Sequence, residues 1–332
     1  MSEFRRIDNR AFKATACTNV VMRAKPTKRD LLSIADLGKD LLPVLKRARQ
    51  LKRERQRGVL RPALRGKNVA LIFEKPSTRT RTSFEVGVND LGGHALFMSL
   101  KELQLGRGET IADTARVLSR YVDGIVYRAF RHQDETELAR WASVPVINAL
   151  DDREHPCQIV ADLLTLHERW KGKFAGHRLA WVGDGNNVHH SLLLGCAMVG
   201  LDLSSATPEA YRPDPEVVDQ AQVLARKSGA QLQFYAEPVS AVKGADAVYT
   251  DVWVSMGEEA EQSARERAFT GFQLNSELLA HARPGALVLH DLPAHRGLEI
   301  TDEVIDGPQS IVWDQAENRL HAQKAILEEL LG

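Results

Sequence analysis

The sequence predicts an α/β protein with two parallel-sheet domains, and three observations support that fold class. The chain has 332 residues, a length that exceeds one small core and suits two domains of about 150 residues each. Short apolar stretches alternate with amphipathic ones, a pattern typical of parallel sheets covered by helices. This alternation restarts after Leu150, and one more amphipathic helix follows the second block.

The first block comprises residues 1–150. Its polar lead-in, residues 1–27, has weak periodicity and indicates an N-terminal arm. Apolar residues then recur at helical spacing from Asp30 to about Arg57, which predicts a helix. The elements predicted after it are, in order, a strand over 68–74, a helix over 77–92, a strand over 94–100, a helix over 110–122, a strand over 124–129, a helix ending at Ala142 and a strand over 144–150.

The second block, residues 151–312, repeats this pattern, and a last helix is predicted over 313–331, so that residues 313–332 form a C-terminal segment. The stretches predicted within the second block are a strand and turn over 177–188, a helix through Val199, a strand over 201–206, a helix over 214–228, the stretch 230–236 with a short helix after it, a strand over 247–253, a charged helical region and a strand over 286–293.

The composition excludes several classes of protein. Lys plus Arg equals Asp plus Glu, at 44 each, so no net charge favours nucleic acid as a partner. The three cysteines are far apart and odd in number, which argues against a disulfide framework and for a reducing compartment. No apolar run approaches the ~20 residues that a membrane helix needs, and the N-terminus lacks a signal-peptide pattern. A cytoplasmic protein without membrane contact is the expectation.

The strongest local motif is Ser-Thr-Arg-Thr-Arg at residues 77–81, which follows a predicted buried strand and opens a helix. Free backbone N–H groups, the helix dipole, hydroxyls and a guanidinium converge there, and this combination suits a phosphate group. The alternative is an ordinary helix cap followed by surface arginines. Five such residues in succession favour the phosphate site, although the pattern of a Walker loop is absent.

Three further polar residues are predicted to share one sheet edge with that motif. Arg128 stands at the carboxyl end of a predicted central strand, where open α/β sheets bind ligands. His155 and Gln158 lie just before and inside the next helix. Taken singly, Arg128 suggests a surface ion pair and His155 a turn residue. Together they favour a ligand site.

The stretch Gly183-x-Gly185 suggests a different function, because it follows a strand and precedes a helix as in a dinucleotide fingerprint. Asp202 is predicted to end the next strand, about where an acid that binds a ribose would stand. The third glycine is missing, with Val188 in its place, so the match is weak. The neighbouring pair His189–His190 is not a metal motif, since adjacent side chains on a helix diverge.

Two acids end predicted strands in the second block. Asp251 precedes a loop that contains Ser255 and Met256, and it is interpreted either as a solvated loop acid or as a carboxylate for a substrate ammonium. Asp291 follows the apolar strand of Ala-Leu-Val-Leu-His, where either a cleft or a solvated turn is expected.

These motifs, in this order, resemble the aspartate/ornithine carbamoyltransferase family, and within it the ornithine enzymes, from about Leu31 to the C-terminus. Ser-Thr-Arg-Thr-Arg is similar to the carbamoyl phosphate motif, and His-Pro-Cys-Gln at 155–158 is similar to a second family signature. Asp-Val-Trp-Val-Ser-Met-Gly-Glu at 251–258 resembles the loop that receives the amino acid end of ornithine. Trp-Asp-Gln-Ala-Glu-Asn-Arg-Leu-His at 313–321 resembles the family's last motif.

The resemblance implies a two-substrate site. Carbamoyl phosphate would be bound by Ser77, Thr78, Arg79, Thr80, Gln104, Arg128, His155, Gln158 and Arg319. Ornithine would be bound by Asn187, Asp251, Ser255, Met256, Asp291 and Leu292. Arg128 and His155 would stabilise charge on the carbonyl oxygen as the δ-amine attacks and phosphate leaves, with no metal and no cofactor.

The resemblance also implies the domain roles and the assembly. Residues 1–150 would bind carbamoyl phosphate, residues 151–312 would form a Rossmann-like ornithine domain, and the C-terminal helix would cross back to the first domain. Gln104 matches a glutamine that the family supplies to the neighbouring subunit, which implies a homotrimer or an assembly of trimers. The resemblance leaves open whether the enzyme makes or degrades arginine.

Asp291 departs from the family pattern, which has His-Cys-Leu-Pro where this chain has His-Asp-Leu-Pro. The family cysteine lies close to the δ-amine, and a carboxylate there would favour the charged, unreactive ammonium. Asp291 is therefore interpreted as a base in an active enzyme, as an adaptation to another amine, or as the mark of a weakened or binding-only variant. A dehydrogenase that binds NAD is the competing hypothesis.

Overall fold

The computed structural model describes residues 28–255 and 259–332. Residues 28–169 contain a four-stranded sheet in the order β2-β1-β3-β4, in which every pairing is parallel. The bounds of the elements in this part are α1 Leu41–Gln56, β1 Asn68–Phe73, α2 Thr78–Asp90, β2 His94–Ser99, α3 Ile111–Leu118, β3 Gly124–Arg128, α4 His132–Trp141, β4 Val146–Leu150 and α5 Pro156–Arg169, with short 3-10 helices over Ile34–Asp40 and Gln104–Arg107.

A second parallel sheet of five strands, in the order β7-β6-β5-β8-β9, occupies the rest of the chain. Its elements are β5 Arg178–Val182, α6 Asn187–Val199, β6 Asp202–Ala206, α7 Pro215–Ser228, β7 Leu232–Tyr235, α8 Pro238–Val242, β8 Ala247–Thr250, α9 Gln262–Ala268, α10 Ser276–Leu279, β9 Leu287–His290, α11 Asp302–Ile305 and α12 Val312–Leu331, with 3-10 helices over Glu209–Tyr211 and Glu259–Glu261.

The predicted fold class, two parallel-sheet α/β units, is confirmed. The strands read as short buried runs because helices cover both faces of a parallel sheet; β3, for example, is buried at every position. The exact domain boundaries stay a prediction, and the proposed arm over 1–27 lies outside the described residues. Within the part of the chain that is described, no helix is both long and apolar enough to cross a membrane.

Two sequence-based expectations need correction. The stretch from Asp30 to Arg57 is not one helix, because Gly38, with a φ of 48°, kinks the 3-10 segment Ile34–Asp40 that precedes α1. Glycine adopts this left-handed conformation without the steric cost that other residues meet. Asp202 was expected to end its strand, but it begins β6. It therefore lies at the opposite edge of the sheet from the carboxyl ends of the strands.

The C-terminal helix α12 crosses from the second sheet to the first unit, where it packs against α5, α1 and α2. Ala322, Ile326 and Leu327 on this helix are fully buried in the largest apolar cluster. Two buried lysines reinforce the contact: the Nζ of Lys52 donates to Asn318 at 2.8 Å, and the Nζ of Lys324 donates to Asp90 at 2.9 Å. The chain therefore completes the core of its first unit with its last helix.

Candidate active site

A cavity of about 370 Å³ lies between the two units at the carboxyl ends of their strands. Ligands bind at this edge in open α/β sheets, because the strand ends and the helix N-termini converge there. Thirteen of the residues expected from the sequence line it: Ser77, Thr78, Arg79, Thr80, Arg128, His155, Gln158, Asn187, Asp251, Ser255, Asp291, Leu292 and Arg319.

One expected residue, Gln104, does not line this cavity, and a second, Met256, cannot be placed relative to it. Gln104 begins the 3-10 helix over Gln104–Arg107, where it is exposed, and it does not line the cavity. Met256 lies outside the described residues. The prediction for Gln104 concerns the site of a neighbouring subunit, so its absence from this cavity does not test it.

One end of the cavity is suited to an anion and is built on the N-terminus of α2. Ser77 is the N-cap residue, and its hydroxyl accepts from the backbone N–H of Thr80 at 3.3 Å. The unpaired N–H groups of the first turn and the helix dipole favour a negative charge at this position. Arg79 projects from the same turn, so the local sequence supplies both the dipole and a cation.

Arg319 reaches this end of the cavity from α12 and is held by two neighbours. Its guanidinium donates to the Oε1 of Gln158 and, at 3.1 Å, to the hydroxyl of Thr80. All three side chains are buried. The contact fixes the last helix to the phosphate-type motif, and one nitrogen of Arg319, Nε, remains without a hydrogen-bond partner.

Arg128 ends β3 and brings a further guanidinium to the same end. Burial, and then the positive charge of Arg319, lower the pKa of Arg128 to about 10. It therefore stays charged at neutral pH, and its buried Nε has no hydrogen-bond partner. A buried donor without a partner costs free energy. An incoming anion that accepts a hydrogen bond from this nitrogen would remove that cost.

His155 is the N-cap residue of α5 and faces these arginines. Burial first, and then the charge of Arg319 and Arg128, lower the pKa of His155 well below its ordinary value. The ring is consequently neutral, and its Nδ1 has no hydrogen-bond partner. Its backbone N–H donates to Ser191 at 2.9 Å, and the Ser191 hydroxyl donates to Glu154 at 2.9 Å, which holds the start of α5 in place.

A buried hydrogen-bonded chain joins the anion end to the other end of the cavity. Gln158 donates to Asp162 at 2.9 Å, and Gln315 donates to the same oxygen at 2.8 Å. Gln315 in turn accepts from the backbone N–H of His290 at 3.0 Å. The second oxygen of Asp162 accepts from Tyr249 at 2.9 Å. Burial raises the pKa of Asp162 to about 6 even though these donors oppose the shift.

The other end of the cavity carries two carboxyl groups. Thr250 of β8 and His290 of β9 are register partners in adjacent parallel strands, and such strands lie about 4.8 Å apart. Asp251 and Asp291 are the next residues along each strand, so the sheet places them side by side. Oxygens of the two acids lie within 4.8 Å of each other.

Asp251 is held by two donors. Its Oδ2 accepts from the amide of Asn186 at 2.8 Å, and its Oδ1 accepts from the backbone N–H of Val252 at 2.7 Å. Asn186 also caps α6 through its side-chain oxygen. The neighbouring Asn187 donates to the carbonyl of Asp151 at 2.6 Å, which ties this loop to the first unit.

Asp291 has a less favourable environment. Its side chain is 10% exposed, and its Oδ1 has no hydrogen-bond donor. Burial, and then the negative charge of Asp251, raise the pKa of Asp291 well above its ordinary value. The acid is therefore protonated over a range of pH in which a solvated aspartate would be charged.

Oxygen and nitrogen atoms of Asp251, His290 and Asp291 lie within 4.8 Å of one another, a spacing at which three such ligands could hold a metal ion. The imidazole of His290 is already engaged on both sides, however. Its Nδ1 accepts from the backbone N–H of Leu292 at 2.9 Å, and its Nε2 contacts Glu299 at 3.1 Å. The ring therefore supports the loop after β9 and offers no free nitrogen to the cavity.

The dinucleotide hypothesis fails on geometry. A side chain on Gly185 would collide with the backbone of Arg212 and Pro213, and the Gly185 N–H donates to the carbonyl of Tyr211 at 2.9 Å. The glycine therefore serves an internal contact. Asp202 lies at the far edge of the sheet, where it cannot meet a ribose. His189 and His190 are also structural, bonded to Ser205 and to the backbone of residues 153 and 214.

Sequence reasoning missed Lys75 and Asn186. Lys75 lines the anion end, where burial and the charge of Arg128 lower its pKa. It directly precedes Pro76 and the Ser-Thr-Arg motif, so its position beside that motif was the available signal. The part played by Asn186 depends on the tertiary contact with Asp251, for which the sequence offers no signal.

Comparison with known families agrees with this architecture. Residues 29–168 match the model described as "Aspartate/ornithine carbamoyltransferase, carbamoyl-P binding domain", and residues 175–330 match "Aspartate/ornithine carbamoyltransferase, Asp/Orn binding domain". The chain belongs to the aspartate/ornithine carbamoyltransferase family.

Individual relatives are similar over nearly their whole length. An "Ornithine carbamoyltransferase" of Methanoculleus marisnigri is 56% identical over 306 residues, covering 92% of this chain and 97% of the relative. An "Ornithine carbamoyltransferase, catabolic" of Thermoplasma volcanium is 51% identical over 305 residues, with 92% and 99% covered. The solved structure of the Pyrococcus furiosus ornithine carbamoyltransferase superposes with a TM-score of 0.89 at 52% identity, covering 92% and 98% of the two chains.

Proposed function

We propose that this chain transfers the carbamoyl group of carbamoyl phosphate to the δ-amine of L-ornithine, giving L-citrulline and phosphate in arginine metabolism. The observation that carries the proposal is the polarity of the cavity. Three guanidinium groups and the N-terminus of α2 meet at one end, and two carboxyl groups meet at the other. That distribution suits an anionic donor and a cationic acceptor, and the relatives named above support the same reaction.

For the donor, we propose that residues 77–80 and Arg319 hold the phosphate. Arg128 lies between the phosphate and the carbonyl oxygen in this proposal, and His155 with Gln158 orients the carbamoyl group. The neutral His155 ring is available as a hydrogen-bond donor to the carbonyl oxygen. Arginine suits phosphate because its planar fork of N–H groups binds two oxygens at once. Residues 1–150 would then form the donor-binding domain.

For the acceptor, we propose that Asp251 and Asn187 bind the α-amino end of ornithine, together with Ser255 and the undescribed Met256. The backbone around Leu292 and the Asp291 carboxyl then lie at the δ-amine. Residues 151–312 would form the acceptor domain, with the helix over 313–332 returning to the first domain. Two free, buried cysteines, Cys157 and Cys196, agree with a reducing cytoplasm.

The chemistry requires positioning more than covalent help. The free amine attacks the carbonyl carbon, a tetrahedral intermediate places negative charge on the carbonyl oxygen, and the C–O bond to phosphate breaks. Arg128 and His155 are positioned to stabilise the oxyanion, and the arginines to stabilise the leaving phosphate. Holding both substrates in one cavity supplies a further share of the rate enhancement. Each of these steps uses only the two substrates and side chains of the protein.

Asp291 favours a second candidate, a carbamoyltransferase whose best acceptor is another amine. The resemblance to the family predicts cysteine at this position, and the acid changes the charge that meets the acceptor. An acceptor that is more strongly cationic, or of different length, would compensate for that change. A binding-only variant is the third outcome that this substitution allows.

The test is product formation from carbamoyl phosphate with a panel of amines: L-ornithine, L-lysine, N-acetyl-L-ornithine and putrescine. We expect citrulline from ornithine at the highest kcat/KM. Preferred turnover of another amine would identify that amine, and not ornithine, as the acceptor. A thermal shift with carbamoyl phosphate but no product from any amine would support the binding-only variant, and a shift with NAD alone would return the dehydrogenase hypothesis.

We also propose that the enzyme is a homotrimer, or an assembly of trimers, in which Gln104 completes the neighbouring subunit's site. Gln104 is exposed on a short 3-10 helix outside its own cavity, as such a role requires. Gln104→Ala is expected to lower kcat/KM by about 10–100-fold, the loss of one or two hydrogen bonds to a charged group.

Mixed assemblies test the sharing of sites. Gln104→Ala chains refolded together with inactive Arg128→Met chains should regain activity in roughly a quarter of the sites, because a complete site then takes Arg128 from one chain and Gln104 from another. Sedimentation analysis gives the assembly size. A monomer in solution, or a mixture no more active than its two components, would contradict the proposal.

A further inference from the structure

The carboxyl pair Asp251 and Asp291 is unusual because neither acid has a lysine or arginine as an ion-pair partner in the described part of the chain. Among the described residues, no lysine or arginine lies within 4.0 Å of either acid. In the same part of the chain, the sole contact of either acid with a basic side chain is that between Asp291 and the Nδ1 of His290, at 3.8 Å. That nitrogen accepts a hydrogen bond from Leu292, so it carries no proton to share. Two adjacent buried acids without a counter-ion cannot both be charged at low cost.

The arrangement distinguishes the two acids. Asp251 uses both oxygens as acceptors, from Asn186 and from Val252. Asp291 has no donor on Oδ1 and faces Asp251. The proton that the pair needs is therefore held on Asp291, where it can be given up when a cation arrives.

We infer that Asp291 is the general base of the reaction: the acceptor's ammonium displaces the proton held on this carboxyl, and Asp291 then takes the proton of the attacking nitrogen. The inference rests on the proposed carbamoyl transfer and names the chemistry of its amine subsite. It does not depend on which primary alkylamine is the best acceptor.

The protons balance over the cycle. The empty site holds one proton on Asp291, and binding of the ammonium releases that proton to solvent. Within the complex, the ammonium transfers a proton to the Asp291 carboxylate, and the free amine attacks the carbonyl carbon. The second proton lost by the attacking nitrogen goes to the departing phosphate, which leaves as the monohydrogen form. Asp291 ends the cycle protonated, as it began.

The surrounding charges allow this exchange. Acidic groups next to Asp291 favour its protonated form, while arginines at the anion end favour its carboxylate. The groups that face it from neighbouring elements are Asp251 and Tyr249 on or after β8, Asp162 on α5, His290 on β9, Arg128 on β3 and Arg319 on α12. An arriving ammonium adds a positive charge next to the two acids and shifts the balance toward ionised Asp291.

Proton release on binding is the first measurement. Titration calorimetry of the full-length enzyme in buffers of different ionisation enthalpy gives the number of protons released. Phosphonoacetamide, in which a methylene replaces the bridging oxygen of carbamoyl phosphate, fills the donor site and prevents turnover. L-Ornithine should release up to about one proton below the pKa of Asp291, and the release should decline as pH rises through that pKa.

Three controls test whether the released proton comes from Asp291. L-Norvaline has the same carbon chain as ornithine without the δ-amine, and it should release fewer protons than ornithine, because its α-ammonium would pair with Asp251 and leave Asp291 without a cation of its own. Asp291→Asn should abolish the release with ornithine. Glu135→Gln removes another fully buried acid with a raised pKa that does not line the cavity, and it should leave the release unchanged.

The pH profile is the second measurement. In the wild-type enzyme, kcat/KM should rise tenfold per unit up to the pKa of Asp291 and then level off. Asp291→Asn lacks the base, so only acceptor that is already deprotonated in solution can react. Its kcat/KM should therefore keep rising toward about pH 10, the ordinary pKa of an alkylammonium. At pH 7 the loss should be about 10²–10³-fold, within the range of general base catalysis. Asp291→Gln provides a second uncharged variant if the first folds poorly.

Two results would contradict the role of Asp291 as the base without contradicting carbamoyl transfer itself. If Asp291→Asn forms citrulline with a higher kcat than the wild type, Asp291 only holds the ammonium and hinders attack. Equal proton release with ornithine and norvaline would also exclude the exchange. If the wild-type enzyme forms no carbamoyl product with any amine, the proposed function itself fails.

Discussion

Arg128→Met is expected to lower kcat by about 10²–10³-fold, the cost of removing one donor from an oxyanion site. Arg128 is buried at the end of β3, it remains charged at neutral pH, and its Nε has no hydrogen-bond partner among residues 28–255 and 259–332. Methionine keeps much of the side-chain volume but provides neither charge nor donor. Steady-state kinetics with saturating carbamoyl phosphate and ornithine measures the effect.

Arg128→Lys is the matched control. It retains the charge but loses the planar fork, so its kcat should lie between the wild type and Arg128→Met. The thermal midpoint should not fall in Arg128→Met, because the variant removes a buried charge that has no ion-pair partner among the described residues. A kcat within threefold of the wild type in a folded Arg128→Met enzyme would exclude Arg128 from the reacting centre.

Asp251→Asn is expected to raise the KM for ornithine by about 30-fold to several thousand-fold, equivalent to the 2–5 kcal/mol lost when one partner of a buried, hydrogen-bonded charge pair is removed. The substitution is close to isosteric, yet it replaces the carboxylate that would bind the α-ammonium. The amide also places N–H groups against Asn186 or the Val252 backbone. The KM for carbamoyl phosphate should change far less, because that substrate binds at the other end of the cavity.

5-Aminopentanoate serves as the control ligand, since it is ornithine without the α-amino group. Its inhibition constant should be similar for the wild type and Asp251→Asn. The variant also removes the neighbouring charge that raises the pKa of Asp291, so the level region of the kcat/KM profile should begin at lower pH. A KM for ornithine within threefold of the wild-type value would place the α-amino group elsewhere.

The sequence predicted those parts of the fold that depend on local periodicity. Continuous buried runs such as Gly124–Arg128 identify strands, and the alternation with helices identifies parallel sheets. The interruption at Gly38 was missed, because apolar spacing continues through it although the backbone turns. Asp202 was placed at the wrong end of its strand, because strand ends are poorly determined by pattern alone.

The same distinction between local pattern and tertiary contact applies to the candidate site. The anion end could be predicted, since its residues follow one another in a short motif and their chemistry is visible together. The pairing of Asp251 with Asp291 could not, because it requires β8 and β9 to be neighbours in a particular register. The lack of a cation near the pair and the engagement of His290 with Leu292 and Glu299 likewise appear only after folding.

The position of α12 has a consequence for biosynthesis. Helix α5 ends at Arg169, but the apolar surface that it shares with α1 and α2 is covered by Val312–Leu331. At about 5–20 residues per second, the ribosome needs roughly 10–30 s to make the intervening chain. During that interval the nascent first unit exposes an apolar groove. We expect chaperone binding to this intermediate, and premature termination before α12 should leave an aggregating product even though every other element has been made.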